Sequence, residues 1–218
     1  MGSIVVVASS KGGCAKTVTT ICLAVNMAAL GYKVAVCDAD PNQTFHAWHE
    51  ASDGQKLTVT SCVDQDQIVK HLMDLATTHD VVLADTGGWM NQTTVFAFGP
   101  ADFVIVPCMP DRGSIIEARR TVRQIENISQ IARREIPSRV LLTRWTPKGL
   151  AERATLADLE TAGLKHLKQH LPTLTAFSKA SFSGYMPYTG TIGLIVGKII
   201  SELQKLGAIP AEPERIDA

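Results

Sequence analysis

The stretch Ser9-Ser10-Lys11-Gly12-Gly13-Cys14-Ala15-Lys16-Thr17 constrains this chain more than any other. A β-branched run, Ile4 to Val7, precedes it, and a long apolar segment, Val18 to Leu30, follows it. Strand, glycine-rich turn, helix is the order such a stretch dictates. The turn's backbone N–H groups and the positive end of the helix dipole together form an anion site. Lys16 has the reach for terminal phosphates, and the Thr17 hydroxyl suits a Mg²⁺ ligand. Small residues at Gly12 and Gly13 let the backbone itself wrap a polyphosphate closely.

The rest of the chain bounds what such a loop serves. A length of 218 residues suits one α/β domain with a sizeable core. That domain is expected to span 1–218, with residues from about 207 to 218 a loose tail. Lys and Arg balance Asp and Glu, so only local charge clusters bear on nucleic acid. Cys14, Cys22, Cys37, Cys62 and Cys108 are scattered with no C-x-x-C pair, which points to a reduced, cytoplasmic protein. No apolar run is long enough for a membrane span. Val6 stands where a myristoylation signal needs Ser or Thr, and the residues after Gly207 do not make a basic amphipathic anchor. No membrane partner is expected.

Apolar patterning predicts strands at Ile4–Ala8, Lys33–Cys37, Asp80–Asp85, Asp102–Pro107 and Arg139–Thr143, with short ones at Leu57–Ser61 and Leu174–Phe177. Helices are expected at Thr17–Leu30, stopped by Gly31, and at Asp64–Thr78 with Asp64 as cap. Further helices are expected at Pro110–Glu135, at Leu150–His170 with a break at Gly163, and at Thr191–Leu206. Residues 43–63 are less regular, with Phe45 and Trp48 as packing residues. The alternation predicts a doubly wound, mostly parallel sheet with helices on both faces, of the P-loop NTPase type.

Two strands end in carboxylates, where ligands bind in open α/β sheets. One ends at Asp38-Ala39-Asp40-Pro41-Asn42. The other ends at Asp85-Thr86-Gly87-Gly88, and an apolar run closing on Asp suits Mg²⁺ held through water at Asp85. Arg112, Arg119, Arg120, Arg123, Arg133 and Arg134 form the densest basic cluster. Glu117, Glu126 and Glu135 interleave with it, so a phosphate-backbone surface and a solvated face with paired charges stand level. Lys179, Lys198 and Lys205 near the last helix are candidates to extend it.

The standard loop G-x-x-x-x-G-K-[ST] fails here at Ser10 and Ala15, whereas K-G-G-x-G-K-[ST] fits except at Ala15. With D-x-D-P-[QN] at Asp38 to Asn42, the chain resembles the ParA/MinD family of dimerising ATPases. The loop and Asp85-Thr-x-Gly are also similar to VirC-type DNA-transfer proteins of that family. The resemblance implies ATP and Mg²⁺ as ligands, with Gly12, Gly13, Cys14, Ala15, Lys16, Thr17 and Val18 around the phosphates. It implies that Thr17, Asp38 and Asp85 serve the metal and that Asp40 orients the attacking water. Lys11 would cross a homodimer interface to the partner's phosphates, and Thr143 and Arg144 would flank the adenine.

The function implied is slow ATP hydrolysis, stimulated by an adaptor of ParB type, that positions a cargo such as a plasmid. Non-specific DNA would be held by Arg112, Arg119, Arg120, Arg123, Lys198 and Lys205, giving nucleoid association in the ATP state. No helix-turn-helix module is expected ahead of the ATPase domain. Two rivals remain: a non-hydrolysing nucleotide-binding scaffold, and a metabolic ATP-dependent ligase of the same superfamily. Lys11 argues against the ligase. Ala15 is the feature that favours the scaffold: at positive φ its Cβ costs about 1–2 kcal/mol. On that reading Ala15→Gly should tighten nucleotide binding.

Overall fold

A computed structural model describes residues 1–52, 57–88 and 91–213. Among these, the strands are β1 (Ser3–Val7), β2 (Val34–Ala39), β3 (Thr58–Ser61), β4 (Val81–Thr86), β5 (Phe103–Cys108), β6 (Ser138–Trp145) and β7 (His166–Pro172). They form one sheet in the order β3-β2-β4-β1-β5-β6-β7, and every pairing is parallel. The helices are α1 (Lys16–Ala29), α2 (Thr44–Glu50), α3 (Ile68–Ala76), α4 (Gln92–Phe98), α5 (Arg112–Ala132), α6 (Leu150–Thr161), α7 (Thr175–Ser183) and α8 (Gly190–Lys205).

The strands read as near-continuous apolar runs because a parallel sheet covered on both faces has no solvated side. Every residue of β2, β4 and β5 is buried. Alternate side chains feed two separate cores. Val5, Val7, Val36, Leu83 and Ile105 meet α1, α2, α7 and α8 through Leu23, Trp48, Phe177 and Ile199. Ile4, Val6, Ala35, Val82 and Val104 meet α3, α4, α5 and α6 through Leu72, Phe98, Ile125 and Leu159. The sheet is thus doubly wound as the alternation predicts, and all-parallel where "mostly parallel" was expected.

Five local expectations change. Residues 166–172 form β7 rather than the end of a helix, because α6 stops at Thr161 and Gly163 turns left-handed at φ 68°. Leu174 precedes α7, so Leu174–Phe177 opens a helix and is not a strand. The region after Asn42 contains α2, whose Phe45 and Trp48 pack edge to face with ring centroids 5.6 Å apart. Residues 207–213 are not loose: Ala208 and Ile209 are buried, and the Tyr32 hydroxyl donates to the Pro210 carbonyl at 2.7 Å. Residues 214–218 lie outside the described residues. Asp64 acts one turn earlier than a direct cap of α3. Its Oδ1 accepts the Asp66 N–H at 2.8 Å, and its carbonyl accepts the N–H of Ile68 at 3.0 Å.

Candidate functional site

The glycine-rich turn joins the carboxyl end of β1 to α1, whose first residue is Lys16. Gly13 at φ 72° and Ala15 at φ 73°, ψ 32° both take the left-handed conformation. The turn is held from inside the chain. The Ala15 carbonyl accepts the Thr19 N–H at 2.9 Å and its hydroxyl at 2.7 Å. The Thr143 hydroxyl donates to the Cys14 carbonyl at 3.1 Å, and the fully buried Cys14 thiol donates to the Lys11 carbonyl at 3.2 Å. Cys14 therefore braces the turn instead of facing the cleft. Ser10 braces it too, since its hydroxyl donates to Glu117 Oε2 at 2.6 Å and its N–H donates to Thr121 Oγ1 at 3.3 Å. A glycine at residue 10 lacks the hydroxyl that ties the loop to α5.

Lys16 is nearly buried, and its Nζ donates to the Lys11 carbonyl at 3.3 Å. Asp85, the last residue but one of β4, lies beside it with no exposure. Its Oδ1 accepts the Thr20 hydroxyl at 3.0 Å, and its Oδ2 has no hydrogen-bond partner. Burial pushes this carboxyl up to about 7; the nearby Asp38 adds to the rise, while Thr17, Thr20 and Lys16 oppose it. An unpartnered oxygen on a buried carboxylate, next to Thr17, fits a Mg²⁺ ion. Such an ion is held by one or two protein oxygens and completes its shell with phosphates and water.

Asp38 is the register partner of Asp85 across β2 and β4. Both its oxygens are engaged: Oδ1 accepts the Asp40 N–H at 3.0 Å and Oδ2 the His46 N–H at 2.9 Å. Burial pushes its carboxyl up, and those backbone donors oppose the rise. Asp38 thus shapes the turn that carries Asp40. Asp40 Oδ1 accepts the N–H and side-chain amide of Asn42, at 2.9 and 3.0 Å.

A cleft of about 860 Å³ opens over these groups. Gly12, Gly13, Ala15, Lys16, Thr17 and Val18 line it with Asp40 and Gly88. Gly88 lies so near the loop that a Cβ there would stand 3.2 Å from Gly12 Cα. Thr143 and Arg144 line a second wall with Leu171, Pro172, Thr173, Leu174 and Phe177. Arg144 sits within β6, not past its end, at φ 51°. The 171–177 lining and the cleft residues Asn42 and Thr44 escaped sequence reasoning. The Leu164, Leu167 and Leu171 spacing there imitates a helix, and nothing local marks a cleft wall.

Lys11 does not line the cleft. Its Nζ donates to Asp111 Oδ1 at 2.6 Å and to Ser114 Oγ at 2.9 Å, at the start of α5. Arg112, Arg119, Arg120 and Arg123 project from exposed positions of the same helix, with Arg120 paired to Glu117 at 2.6 Å. Arg133 caps α5 in the left-handed conformation. The Arg134 guanidinium donates to the carbonyls of Gly99 and Ala101, which gives it a bracing role. Lys198 and Lys205 are exposed on α8, which packs on the opposite face of the sheet from α5. The arginines and the terminal lysines therefore form two surfaces, not one extended patch.

Among the described residues no helix is long and apolar enough to cross a membrane. Comparison with known proteins places this architecture. The chain is 29% identical over 178 residues to "Protein ParA" of Rhizobium radiobacter, covering 80% of each. Its fold is similar to a Borrelia burgdorferi B31 protein described as a plasmid partition protein, bound to AMPPNP. That match has a TM-score of 0.74 at 14% identity and covers 94% of this chain and 100% of the other. It is also similar to cobyrinic acid a,c-diamide synthase from Mycobacterium smegmatis with an ATP analogue and magnesium. Here the TM-score is 0.77 at 18% identity, covering 96% and 98%. The family model of the CobQ/CobB/MinD/ParA nucleotide binding domain matches residues 5–187, which include the loop, the three carboxylates and the cleft walls. The chain belongs to this family of nucleotide-binding domains.

Proposed function

We propose that the chain is a ParA-type ATPase that binds ATP with Mg²⁺, dimerises around the nucleotide and hydrolyses it slowly. One observation carries this reading: Lys16 and Thr17 sit at a left-handed turn beside a buried carboxylate with one unpartnered oxygen, with Asp40 on the same cleft. The loop N–H groups and Lys16 bind the phosphates. Thr17 and Asp85 hold Mg²⁺, which would neutralise charge developing on the terminal phosphates. Asp40 orients the attacking water, and Asp38 keeps Asp40 in place. The wall from Thr143 to Phe177 takes the base. Lys11 serves the partner's phosphates.

In this function the ATP dimer loads onto DNA non-specifically, in the cytoplasm and on the nucleoid. An adaptor of ParB type stimulates hydrolysis, and the cycle positions a cargo such as a plasmid. The "Protein ParA" relative and the plasmid-partition likeness support that assignment over a ligase. A second reading, a nucleotide-binding scaffold without turnover, is favoured by the strained Ala15. Sedimentation with ADP, ATP·Mg²⁺ and a slow ATP analogue tests the first reading, and a dimer with the triphosphates alone is expected. Phosphate release with and without DNA separates the two. A chain that dimerises but releases no phosphate is the scaffold.

A further inference from the structure

Lys11 occupies a seat that its own chain builds. Asp111 is the N-cap of α5: its Oδ1 accepts the Ser114 N–H at 2.9 Å, and its Oδ2 accepts the Ser114 hydroxyl at 2.7 Å. Lys11 Nζ enters this arrangement at 2.6 Å from Asp111 Oδ1 and 2.9 Å from Ser114 Oγ. The space is kept by Gly113, where a Cβ would stand 3.2 Å from Asp111 Oδ1 and 3.6 Å from Lys11 Nζ. Capping alone does not call for this design, since Asn or Ser caps a helix about as well as Asp. What the carboxylate adds is a charge, and that charge meets Lys11. Burial pushes the Asp111 carboxyl up, but the hydrogen bonds from Lys11 and Ser114 outweigh it and leave the carboxyl below its ordinary value.

We propose that Asp111 and Ser114 are positioning residues for Lys11, seating its ammonium within the single chain so that dimerisation must unseat it. The inference rests on the reading above for the outward role of Lys11. The pair is partly exposed, 27% at Lys11 and 44% at Asp111, so the seat is weak enough for polyphosphate to compete with it. Competition makes the seat a threshold: the triphosphate of a partner has to offer Lys11 more than Asp111 does. Two seats open per dimer. A pair of this exposure contributes roughly a two- to five-fold bias, so both together oppose dimerisation by about four- to twenty-five-fold.

Two measurements test it. The first is zero-length carbodiimide coupling of the full chain, followed by peptide mapping. A Lys11–Asp111 amide should form without nucleotide and fall several-fold with a slow ATP analogue and Mg²⁺. The second is sedimentation of wild type, Asp111→Asn and Ser114→Ala across a titration of the same analogue. Asp111→Asn keeps the oxygen that caps α5 while removing the charge and the second acceptor, which Ser114→Ala controls for by deleting the hydroxyl that uses it. Melting temperatures check that both variants fold. The dimerisation constant should rise by about four- to twenty-five-fold for Asp111→Asn and by less for Ser114→Ala.

An unchanged or weakened dimer in the folded Asp111→Asn protein overturns the proposal. So does an equal gain in ADP affinity, which would mean that Lys11 acts on its own chain's phosphates. If wild type stays monomeric with the triphosphate, the dimer reading fails and the amide decides the rest. Its loss with the analogue keeps the seat as one opened by nucleotide; its persistence overturns the seat as well.

Discussion

At residue 15 an alanine holds a left-handed backbone that usually falls to glycine. The causes are all within the chain: Thr19 draws on its carbonyl, and Thr143 fixes the carbonyl before it. The strain therefore belongs to the fold and not to the act of binding. Ala15→Gly should raise stability by about 1 kcal/mol, once the added freedom of glycine in the unfolded chain is subtracted. Nucleotide affinity should stay within about two-fold, since bound and free chains are relieved alike. Calorimetry and thermal melting check this, and a large affinity gain at constant stability would restore the sequence-based expectation. Asp85 makes a second prediction at this scale. Its carboxyl titrates near 7 in the fold against an ordinary 3.8, so between those values the native chain holds a proton that the unfolded chain has released. Stability contributed at this site therefore falls as pH rises through that window. In Mg²⁺-free buffer, Asp85→Asn should gain on wild type in melting temperature from pH 5 to pH 8, while losing the stabilisation by ATP·Mg²⁺. A pH-independent difference between the two proteins would show that Asp85 carries no such cost.

Among the elements, β7 connects packing to the base side of the cleft. It is an edge strand with register shifts against β6, and the Glu202 carboxylate of α8 accepts the N–H groups of Lys168 and Gln169 at 2.8 and 3.0 Å. Removing that acceptor strands two donors at the strand leading to Leu171 and Pro172. Glu202→Ala should cost about 0.5–1.5 kcal/mol of stability, since water reaches the freed donors, and weaken ADP several-fold, while tripolyphosphate, which needs only the loop, keeps its affinity. Equal loss for both ligands would remove β7 from the base wall. This element also marks where sequence reading ends. The β1 strand, the loop and α1 were legible because three local signals agree: a β-branched run, glycines at the turn, and an apolar helix stopped by Gly31. The carboxylates of β2 and β4 were legible because each closes an apolar run. By contrast β7 is set by its parallel pairing with β6 and by the Glu202 carboxylate of a later helix, and no window of local spacing contains either partner. The seven-residue helices α2 and α4 offered too few turns for a period to show. For Asp38 the resemblance implies a place in the metal's shell, and the fold adds what no motif shows: each of its oxygens accepts a backbone N–H, from Asp40 and from His46.

Over the whole molecule, the sheet separates the two basic surfaces, so the DNA binding proposed above can be tested face by face. Reversing charge at Arg119, Arg120 and Arg123 tests one face, and reversing Lys198 and Lys205 tests the other. If α5 is the surface, the first set should weaken binding on every sequence and flatten its salt dependence, while the second leaves both unchanged. The opposite result moves the interface to α8, and loss with neither excludes both. The order of the strands has a consequence in time as well as in space. β1 is made before the other six strands of the sheet, yet it pairs on one side from Ser3 to Val81 and on the other from Val5 to Phe103. Until Thr121 has emerged, the loop lacks the part of α5 that ties down Ser10 and Lys11, and its cleft walls follow only with residues 143 to 177. At about 5–20 residues per second, the first strand waits seconds for its neighbours. During that wait an apolar segment with strong β preference is without its strand partners, the kind of exposed edge that favours aggregation before any nucleotide can bind.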